Sequence, residues 1–380
     1  MSKVMSRLDA WMFDGFKIKL SDLAIYRIVY AAWMLLMAVP AHGWLTHVPH
    51  AFFNPPPGLP AFATGIPAAG IVIAANLLRA TALIALLFGW RTRIASLVVA
   101  ALTIALDAWA FSLGKIDHTI LVAVAPLVLA FSGWGDMHSL DARRLAQQGI
   151  RRDLNDTSGS WALTMFAVII AFAMATAGWG KIVTGWFDPA VHSTYGYLVS
   201  DYYVGGNPTP VGGVLMHIDS PLFWEGMDWA AACLEFGFIF SIVNARLFKT
   251  FCAVAALFHL SVWLMFGIDF SVNMLAYAVL LPYTELARWL SPRLAGAVQA
   301  ARKIPMWLIA IVFVAVTAIS IVIKQPVLEA IGFPGSVTTI WIGALAGAIY
   351  LLRQITITLK SAGAARLKMQ PVPSEGKKIG

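Results

Sequence analysis

The chain contains few charged residues and almost no cysteine. Only 12% of its 380 residues are Asp, Glu, Lys or Arg, whereas 59% are hydrophobic, and the mean hydropathy is +0.76. This composition leaves too little polar surface for a soluble fold of this length. The two cysteines, Cys233 and Cys252, lie in apolar runs, so the sequence offers neither a disulfide framework nor a cysteine-based zinc site.

The apolar runs also lack the alternation of polar and apolar residues that membrane-spanning strands require, which excludes a β-barrel. A helix needs about 20 apolar residues to cross the roughly 30 Å of hydrocarbon in a bilayer. Run length therefore predicts an all-α, polytopic helical bundle with about ten transmembrane helices, at residues 23–43, 68–89, 94–113, 118–134, 161–180, 223–243, 250–268, 270–287, 305–323 and 336–352.

Lys and Arg are distributed unevenly among the connections. They concentrate in the N-terminal segment, in alternate loops and in the tail: Lys3, Arg7, Lys17 and Lys19; Arg91 and Arg93; Arg143, Arg144, Arg151 and Arg152; Arg246 and Lys249; Arg288, Arg293, Arg302 and Lys303; and Arg353 to Lys378. The other loops carry only Lys115, Lys181 and Lys324. By the positive-inside rule, both termini are predicted to be cytoplasmic. These loops account for the net charge of +8, so no nucleic acid partner is expected.

The chain is predicted to divide into three parts. Residues 1–290 form one transmembrane domain, residues 291–353 form a linker and two additional transmembrane helices, and residues 354–380 form a basic, disordered cytoplasmic tail. The first span carries Arg27 and is too long for the core of a signal peptide, so we expect it to remain as an uncleaved helix.

Lys181 is the most informative polar residue. It closes the apolar run Trp161–Gly180, at what the topology predicts to be the outer membrane surface. An amine beside hydrocarbon is a candidate base, because desolvation disfavours its charged form. The alternative is a lysine that extends its amine to the lipid headgroups and has no chemical role.

Other polar residues inside the predicted spans are costly unless they are paired. Arg79 and Asp107 lie at similar depth and could form a buried ion pair, whereas Arg27 is expected to reach the cytoplasmic surface or to pair with Asp22. Three histidines on the first outer loop have spacings that match no strong metal signature: His42, His47 and His50.

Three further residues indicate chemistry near Lys181. Glu235 and His259 lie mid-span on two helices joined by the short turn Asn244–Lys249, so we expect them to meet, as in a carboxylate–histidine pair. His118 begins the fourth predicted span at the same outer end as Lys181. A core histidine with only a structural role remains an equal alternative for His259.

Several short motifs occur in the order in which they stand in a known family. The stretch Ala177-Gly178-x-x-Lys181-Ile182, followed by Trp186, resembles the AG-x-x-K-L…W stretch of the vitamin K-dependent gamma-carboxylase and of bacterial horizontally transferred transmembrane (HTTM) proteins. Further similar motifs, within about residues 22–290, are Arg27, Gly89-Trp90-Arg91, Asp117-His118-Thr119-Ile120-Leu121, Ser139-Leu140-Asp141, Leu234-Glu235, Arg246, Phe258-His259, Phe266-Gly267-Ile268-Asp269-Phe270 and Met274-Leu275.

The resemblance implies a multi-pass enzyme of the bacterial inner membrane that oxidises a naphthoquinol with O2. Vitamin K hydroquinone or menaquinol would be the co-substrate and would arrive through the membrane lipid, and no metal is implied. The oxidation would drive deprotonation or carboxylation, with CO2, of a second substrate such as a peptide or protein. The implied catalytic residues are Lys181, His118, His259 and Glu235, and the implied cofactor-binding residues are Asp117, Trp186 and Asn273.

Two departures from the family pattern bear on this function. Asp117 stands where the family has asparagine, and the chain lacks the large lumenal domain that binds the protein substrate of the animal enzyme. The resemblance therefore favours a quinol pocket more than glutamate carboxylation. Two alternatives stay open: a non-catalytic accessory protein for peptide maturation or export, in which Lys181 is dispensable, and a transporter, which the lack of an internal repeat disfavours.

Overall fold

The computed structural model describes residues 3–40, 42–55, 61, 64–113, 117–293 and 295–368, and this part of the chain contains helices and no strand. The all-α class is therefore confirmed. The helices are α1 Lys3–Asp14, α2 Leu20–Met37, α3 Ala69–Phe88, α4 Thr92–Phe111, α5 Ile120–Leu129, α6 Leu140–Gln147, α7 Ser160–Val183, α8 Ser193–Tyr203, α9 Pro210–Leu215, α10 Pro221–Ser241, α11 Ala245–Phe266, α12 Ser271–Tyr277, α13 Tyr283–Leu290, α14 Ala295–Arg302, α15 Met306–Ile323, α16 Val327–Ala330 and α17 Gly335–Lys368.

Seven helices of the described chain are long and apolar enough to cross a membrane: α2, α3, α4, α7, α11, α15 and residues Gly335–Ser361 of α17. The protein is therefore a helical, multi-pass membrane protein. Helix α10 has 21 residues, which is a sufficient length, but it also carries Glu225, Asp228 and Glu235. These three acidic residues distinguish it from the seven helices above.

Two of the predicted spans are shorter than expected. The helix predicted at 118–134 is regular only over Ile120–Leu129, and the one predicted at 270–287 ends at Leu280 after a single 3-10 turn. Proline at position 282 disfavours helix in the residue before it, which is extended (Leu281 ψ 137°). In both cases the apolar run of the sequence continues past the end of the helix, so the length of the run could not predict where the helix ends.

The C-terminal helix is longer than expected. Helix α17 continues to Lys368, so residues 354–368 are helical and their assignment to a disordered tail is wrong. Residues 353–368 include Gln, Leu, Lys, Ala and Arg, which favour helix, and they contain no proline. Residues 369–380 of the predicted tail lie outside the described residues.

The helices have two distinguishable ends. At the first, which we call the basic end, α2 and α7 begin side by side, and the Ile18 amide donates to Ser160 Oγ at 3.2 Å. Helix α1 lies across this end, where Trp11 Nε1 donates to the carbonyl of Ile242 just after α10. At the opposite end, α4 and α7 finish and the short helices α8 and α9 follow. Within the bundle, α7 packs most extensively on α10 and α11 packs on α17.

Arg27 is buried at the basic end and does not reach the surface. Its side chain is fully inaccessible, and its guanidinium donates hydrogen bonds of 2.6 to 3.3 Å to four carbonyl oxygens, those of Leu86, Leu87, Trp134 and His138. Asp22 instead accepts hydrogen bonds from the amide and hydroxyl of Thr284. Both expectations for Arg27 are therefore wrong, because the end of α3 presents unpaired carbonyls that a guanidinium satisfies.

The glycine beside Arg27 explains another sequence motif. Gly89 has φ +66°, and a Cβ atom there would lie 2.2 Å from Cβ of Ser139 and 2.4 Å from Nη1 of Arg27. Asp141 accepts hydrogen bonds from the amides of Arg91 and Thr92 and so caps the start of α4. These motif residues hold the turn between α3 and α4 against α6, which is a structural role.

Candidate functional site

Helices α7 and α10 approach each other most closely at Gly178. A Cβ atom on this residue would lie 2.3 Å from the amide nitrogen of Phe236, so any larger side chain would push the helices apart. Small residues at helix crossings allow such close approach in membranes. Lys181 follows Gly178 by three residues and therefore projects from nearly the same face of α7. The Ala177-Gly178-x-x-Lys181 pattern thus places the amine against α10.

The residue that Lys181 meets on α10 is Glu235. Lys181 Nζ donates a hydrogen bond to Glu235 Oε2, and the two side chains are 21% and 10% exposed, respectively. The two residues are 54 positions apart in the sequence, so their contact depends on the packing of α7 against α10. Burial of both groups makes the pair costly to break, since either partner alone would be an unpaired charge away from water.

Trp186 also contacts Lys181. The amine lies 5.1 Å from the centroid of the Trp186 ring, and this ring is 6.0 Å from that of Tyr197. A carboxylate and an aromatic ring face are both partners that an ammonium group commonly takes. To act as a base, Lys181 would first pass its proton to Glu235, which is within hydrogen-bond distance.

His259 is fully enclosed in the bundle, with 2% of its surface exposed. Its Nε2 atom is 3.2 Å from the hydroxyl of Tyr277, and its ring stacks on Phe270 with centroids 4.4 Å apart. The other ring nitrogen, Nδ1, has no hydrogen-bond partner among the described residues. The predicted direct contact with Glu235 is wrong: Glu235 turns towards α7, whereas His259 turns towards α12.

His118 reaches the same place from the turn before α5. Its Nε2 atom is 3.1 Å from the carbonyl oxygen of Asp269, and its ring centroid is 4.5 Å from that of Phe270. Phe270 therefore contacts both His118 and His259. Lys181 and His118 are both close enough to interact electrostatically with His259.

The structure thus places the four residues that were predicted to be catalytic in two neighbouring sets of contacts, Lys181 with Glu235, and His118 and His259 on Phe270. We call them, with Phe270 and Tyr277, the central cluster; its members are His118, Lys181, Glu235, His259, Phe270 and Tyr277. They come from four helices and two turns. Tyr277 was missed because a tyrosine in an apolar run is ordinary core, although it follows Asn273 by four residues and so shares a face of α12 with it.

The remaining predicted cofactor-binding residues lie at the edge of this cluster. Asp117 Oδ1 accepts hydrogen bonds from the amide and the hydroxyl of Thr119 and so fixes the turn that precedes α5. Asn273 is 1% exposed, and neither of its side-chain polar atoms meets ordinary hydrogen-bond geometry with a partner among the described residues. Its amide nevertheless lies close to the Tyr277 hydroxyl. A buried amide of this kind is available to a ligand.

Arg79 and Asp107 do not form the expected ion pair. Asp107 contacts His42 instead, with Oδ1 3.1 Å from Nε2, and Arg79 donates to the carbonyl of Ala38 and to the side chain of Asn76. The loop after α2 folds back over α4, which the helix spacing alone could not indicate. No group of three or more His, Cys, Asp or Glu side chains that could hold a metal occurs in the described chain.

The Lys181–Glu235 contact can be tested by a double-mutant cycle with Lys181→Met and Glu235→Gln. Each single variant should lose about 1–3 kcal/mol of unfolding free energy or more, because it leaves one buried group unpaired. The double variant should lose clearly less than the sum, and unfolding in detergent would measure the difference. Glu235→Gln combined with Lys324→Met should be additive within about 0.5 kcal/mol. A larger coupling of Glu235 to His259 than to Lys181 would contradict the observed pairing.

Comparison of the chain with protein-family models, with curated proteins and with solved structures gives no match. The geometry of the central cluster therefore carries the functional argument. The cluster combines a lysine–glutamate pair, two histidines, the phenol of Tyr277 and the ring of Phe270 among largely apolar helices. Such a set can move protons to and from a bound organic molecule.

Proposed function

We propose that this protein is a membrane enzyme that oxidises a lipid-soluble quinol with O2, using the central cluster as its proton-transfer site. One observation carries the proposal: Lys181, Glu235, His118 and His259, chosen from the sequence alone, form two neighbouring sets of contacts, the Lys181–Glu235 pair and the packing of both histidines on Phe270. Such convergence of polar groups within apolar helices is costly and points to function.

The Lys181–Glu235 pair would take the first proton. When the shared proton rests on Glu235, Lys181 carries a neutral amine with a free electron pair. That amine accepts the proton of a quinol hydroxyl, which leaves a quinolate anion and a lysine ammonium. Glu235 then releases its proton to water at the outer surface, so that one proton leaves the site for each quinolate formed, and Glu235 again pairs with the ammonium.

The two histidines and the tyrosine would act on the charge that this step creates. His118 can donate a hydrogen bond to the anionic oxygen, as in other sites that stabilise a developing oxyanion. Tyr277 and His259 form a hydrogen-bonded pair that can supply or remove a second proton. Phe270 and Met174 add an apolar wall, and Met174 Sδ lies 3.8 Å from the Tyr277 hydroxyl. Exclusion of water protects a strongly basic product.

The resemblance to gamma-carboxylase and HTTM proteins supplies the identity of the reactants. On that basis the quinol is a naphthoquinol, vitamin K hydroquinone or menaquinol, and residues 1–290 form the carboxylase-like transmembrane domain. Oxygen and the quinolate together yield the epoxide and a base strong enough to deprotonate a second substrate, to which CO2 can add. A peptide or protein is the natural second substrate. Asp117, Trp186 and Asn273 would line the quinol site beside the catalytic groups.

We further propose ten spans with both termini in the cytoplasm of a bacterial inner membrane. The seven long apolar helices, α10 and the two short apolar helices together give ten. Most Lys and Arg residues of the connections lie at the end of the bundle where α2 and α7 begin, which the positive-inside rule places in the cytoplasm. The central cluster then lies towards the outer surface.

This orientation predicts the labelling of single cysteines in a protein whose two native cysteines are replaced by alanine. Cysteine at the exposed residue Pro208 should react with an impermeant thiol reagent in intact cells. Cysteine at the exposed residue Gln148 should react only after the cells are opened. Labelling of both positions from the same side would refute the orientation, whereas the reverse labelling would place the basic end outside.

The closed Lys181–Glu235 pair also favours a second function. A buried ion pair can serve only to fix two helices, and in a non-catalytic accessory protein for peptide maturation or export that role would suffice. The two functions differ in whether the cluster converts a quinol at all.

The deciding experiment uses purified full-length protein in lipid nanodiscs, with menaquinol and oxygen. The proposal expects a quinone product that has gained one oxygen atom, detected by mass spectrometry, and its loss without O2 or in Glu235→Gln. Lys324→Ala, which removes a lysine at the same end of the protein but outside the cluster, should retain conversion. Protein that unfolds cooperatively but gives no oxygen-dependent product would refute the proposed chemistry and favour the accessory function.

A further inference from the structure

A groove opens at the end of the bundle opposite the basic end. Its volume is about 520 Å³, and aromatic and aliphatic side chains form most of its wall. The residues that line it are His42, Trp44, Val48, Phe52, Ala110, Phe111, Leu113, Asp117 and Thr119. A concave, mainly apolar site with a few polar groups is the usual form of a small-molecule site.

His42 lines the groove and contacts Asp107, which lies behind the wall of the groove, and this pair is not fully satisfied by the described residues. His42 Nε2 lies 3.1 Å from Asp107 Oδ1, and the two side chains are 14% and 6% exposed. The second ring nitrogen, Nδ1 of His42, and the second carboxylate oxygen, Oδ2 of Asp107, are both buried without a hydrogen-bond partner among the described residues. Buried polar atoms normally find partners, and two unpaired atoms on one contacting pair indicate a missing ligand.

The position of His42 is itself unusual. Its φ of +66° lies in the left-handed region, which non-glycine residues seldom adopt. This conformation turns the residue just after α2 so that its ring contacts α4. Backbone strain of this kind is retained where the surrounding structure holds a side chain for a purpose.

The charge near the pair indicates what kind of ligand it takes. Arg79 is fully buried on α3 and interacts electrostatically with Asp107 and with the Tyr30 hydroxyl, so the carboxylate already has a counter-charge. Asp117, at the wall of the groove, is engaged by Thr119. Because Asp107 already has this counter-charge, the His42–Asp107 pair gains little from an ion and favours an uncharged group.

We propose that this groove is a binding site for an uncharged amphipathic molecule that presents a hydroxyl group to His42 and Asp107. A hydroxyl donates to a free electron pair of Asp107 Oδ2 or of His42 Nδ1, and it can also accept a hydrogen bond from a protonated imidazole. Trp44, Phe52 and Phe111 contact the apolar body of the ligand. The quinol of the proposed function belongs to this class, and to that extent the inference rests on the proposed function.

The groove and the central cluster share one turn of the chain. Asp117 and Thr119 line the groove, while His118 between them contacts Phe270 in the cluster. A molecule held by His42 and Asp107 would therefore lie on the other side of a single turn from the proton-transfer residues. The groove is the place from which a hydroxyl-bearing reactant enters.

The test compares two probes that differ only in their hydroxyl groups: 1,4-dihydroxy-2-methylnaphthalene and its dimethyl ether. Equilibrium binding to the full-length protein in nanodiscs is measured without oxygen, so turnover does not enter. The wild type should bind the diol about tenfold more tightly than the ether, as expected for a buried hydrogen bond. In His42→Phe and in Asp107→Asn this preference should fall to within about twofold.

The control is His47→Phe, the same substitution on the same loop, at an exposed residue that does not line the groove. It should keep the wild-type preference. Absence of binding, equal binding of both probes, or a preference that Lys181→Met removes and His42→Phe keeps would each overturn the inference. The quinol oxidation assay is a separate measurement. If binding depends on His42 but no quinol is oxidised, the proposed chemistry is refuted and the groove remains a binding site. If quinol is oxidised equally well in His42→Phe, the groove is refuted as the quinol site and the proposed chemistry stands.

Discussion

Lys181→Arg should abolish oxygen-dependent quinol conversion as completely as Lys181→Ala does. Arginine keeps its proton at any accessible pH, so it can still pair with Glu235 and contact Trp186 but cannot act as a base. General base catalysis is worth about 10²- to 10⁴-fold in rate, and this is the loss that we expect for both variants. Product formation per folded protein, measured between about pH 6.5 and 9.5, gives the comparison.

The arginine variant is informative because it separates chemistry from structure. If the ion pair serves only to fix α7 against α10, Lys181→Arg should behave like the wild type, whereas Lys181→Ala should be unstable. Lys324→Arg is the matched control at the same end of the protein and should be silent in activity and stability. An active arginine variant with an unchanged pH profile would remove Lys181 from the mechanism and favour the accessory function.

Arg27→Met should be the most destabilising substitution at the basic end. It would leave the carbonyl oxygens that now accept from the guanidinium without a partner, in a site from which water is excluded. Loss of a buried, hydrogen-bonded charge costs about 3–5 kcal/mol. We expect a comparable loss of unfolding free energy in detergent, or failure to accumulate in the membrane.

Arg27→Lys tests whether charge alone suffices. Lysine has a single, compact ammonium group with three donors, and it cannot reach the carbonyls of Leu86, Trp134 and His138 at the same time. It should therefore restore only a minor part of the stability. Arg151→Met, at an exposed position in the loop before α7, should change the unfolding free energy by less than about 0.5 kcal/mol. If Arg27→Lys were as stable as the wild type, the geometry of the carbonyl contacts would not matter.

The membrane class and four of the six members of the central cluster could be predicted from the sequence. Long apolar runs specify spanning helices because the bilayer leaves few alternatives. A polar residue within such a run is costly, so each one is conspicuous. That is why Lys181, Glu235 and His259 could be chosen before their partners were known.

The partners themselves could not be predicted, because they depend on the rotation of each helix about its axis. Glu235 faces α7 since Gly178 lets the two backbones approach, and no count of residues along α10 reveals this. Asp107 meets His42 because the loop after α2 folds inwards. Arg27 was misjudged for a similar reason: its partners are backbone carbonyls, which leave no signature in the sequence.

The two short apolar helices have a consequence for how reactants meet. Helix α5 and the α12 segment Ser271–Leu280 have ten residues each and rise about 15 Å, which is half the hydrocarbon thickness. They pack on each other, and His118 and Phe270 stand at their starts. At these two positions the helix thus covers only about half of the hydrocarbon depth. Non-helical backbone at that depth must be shielded by protein or face an aqueous vestibule. Under the proposed function, such a vestibule would let a reactant dissolved in lipid and one dissolved in water meet without either leaving its own phase.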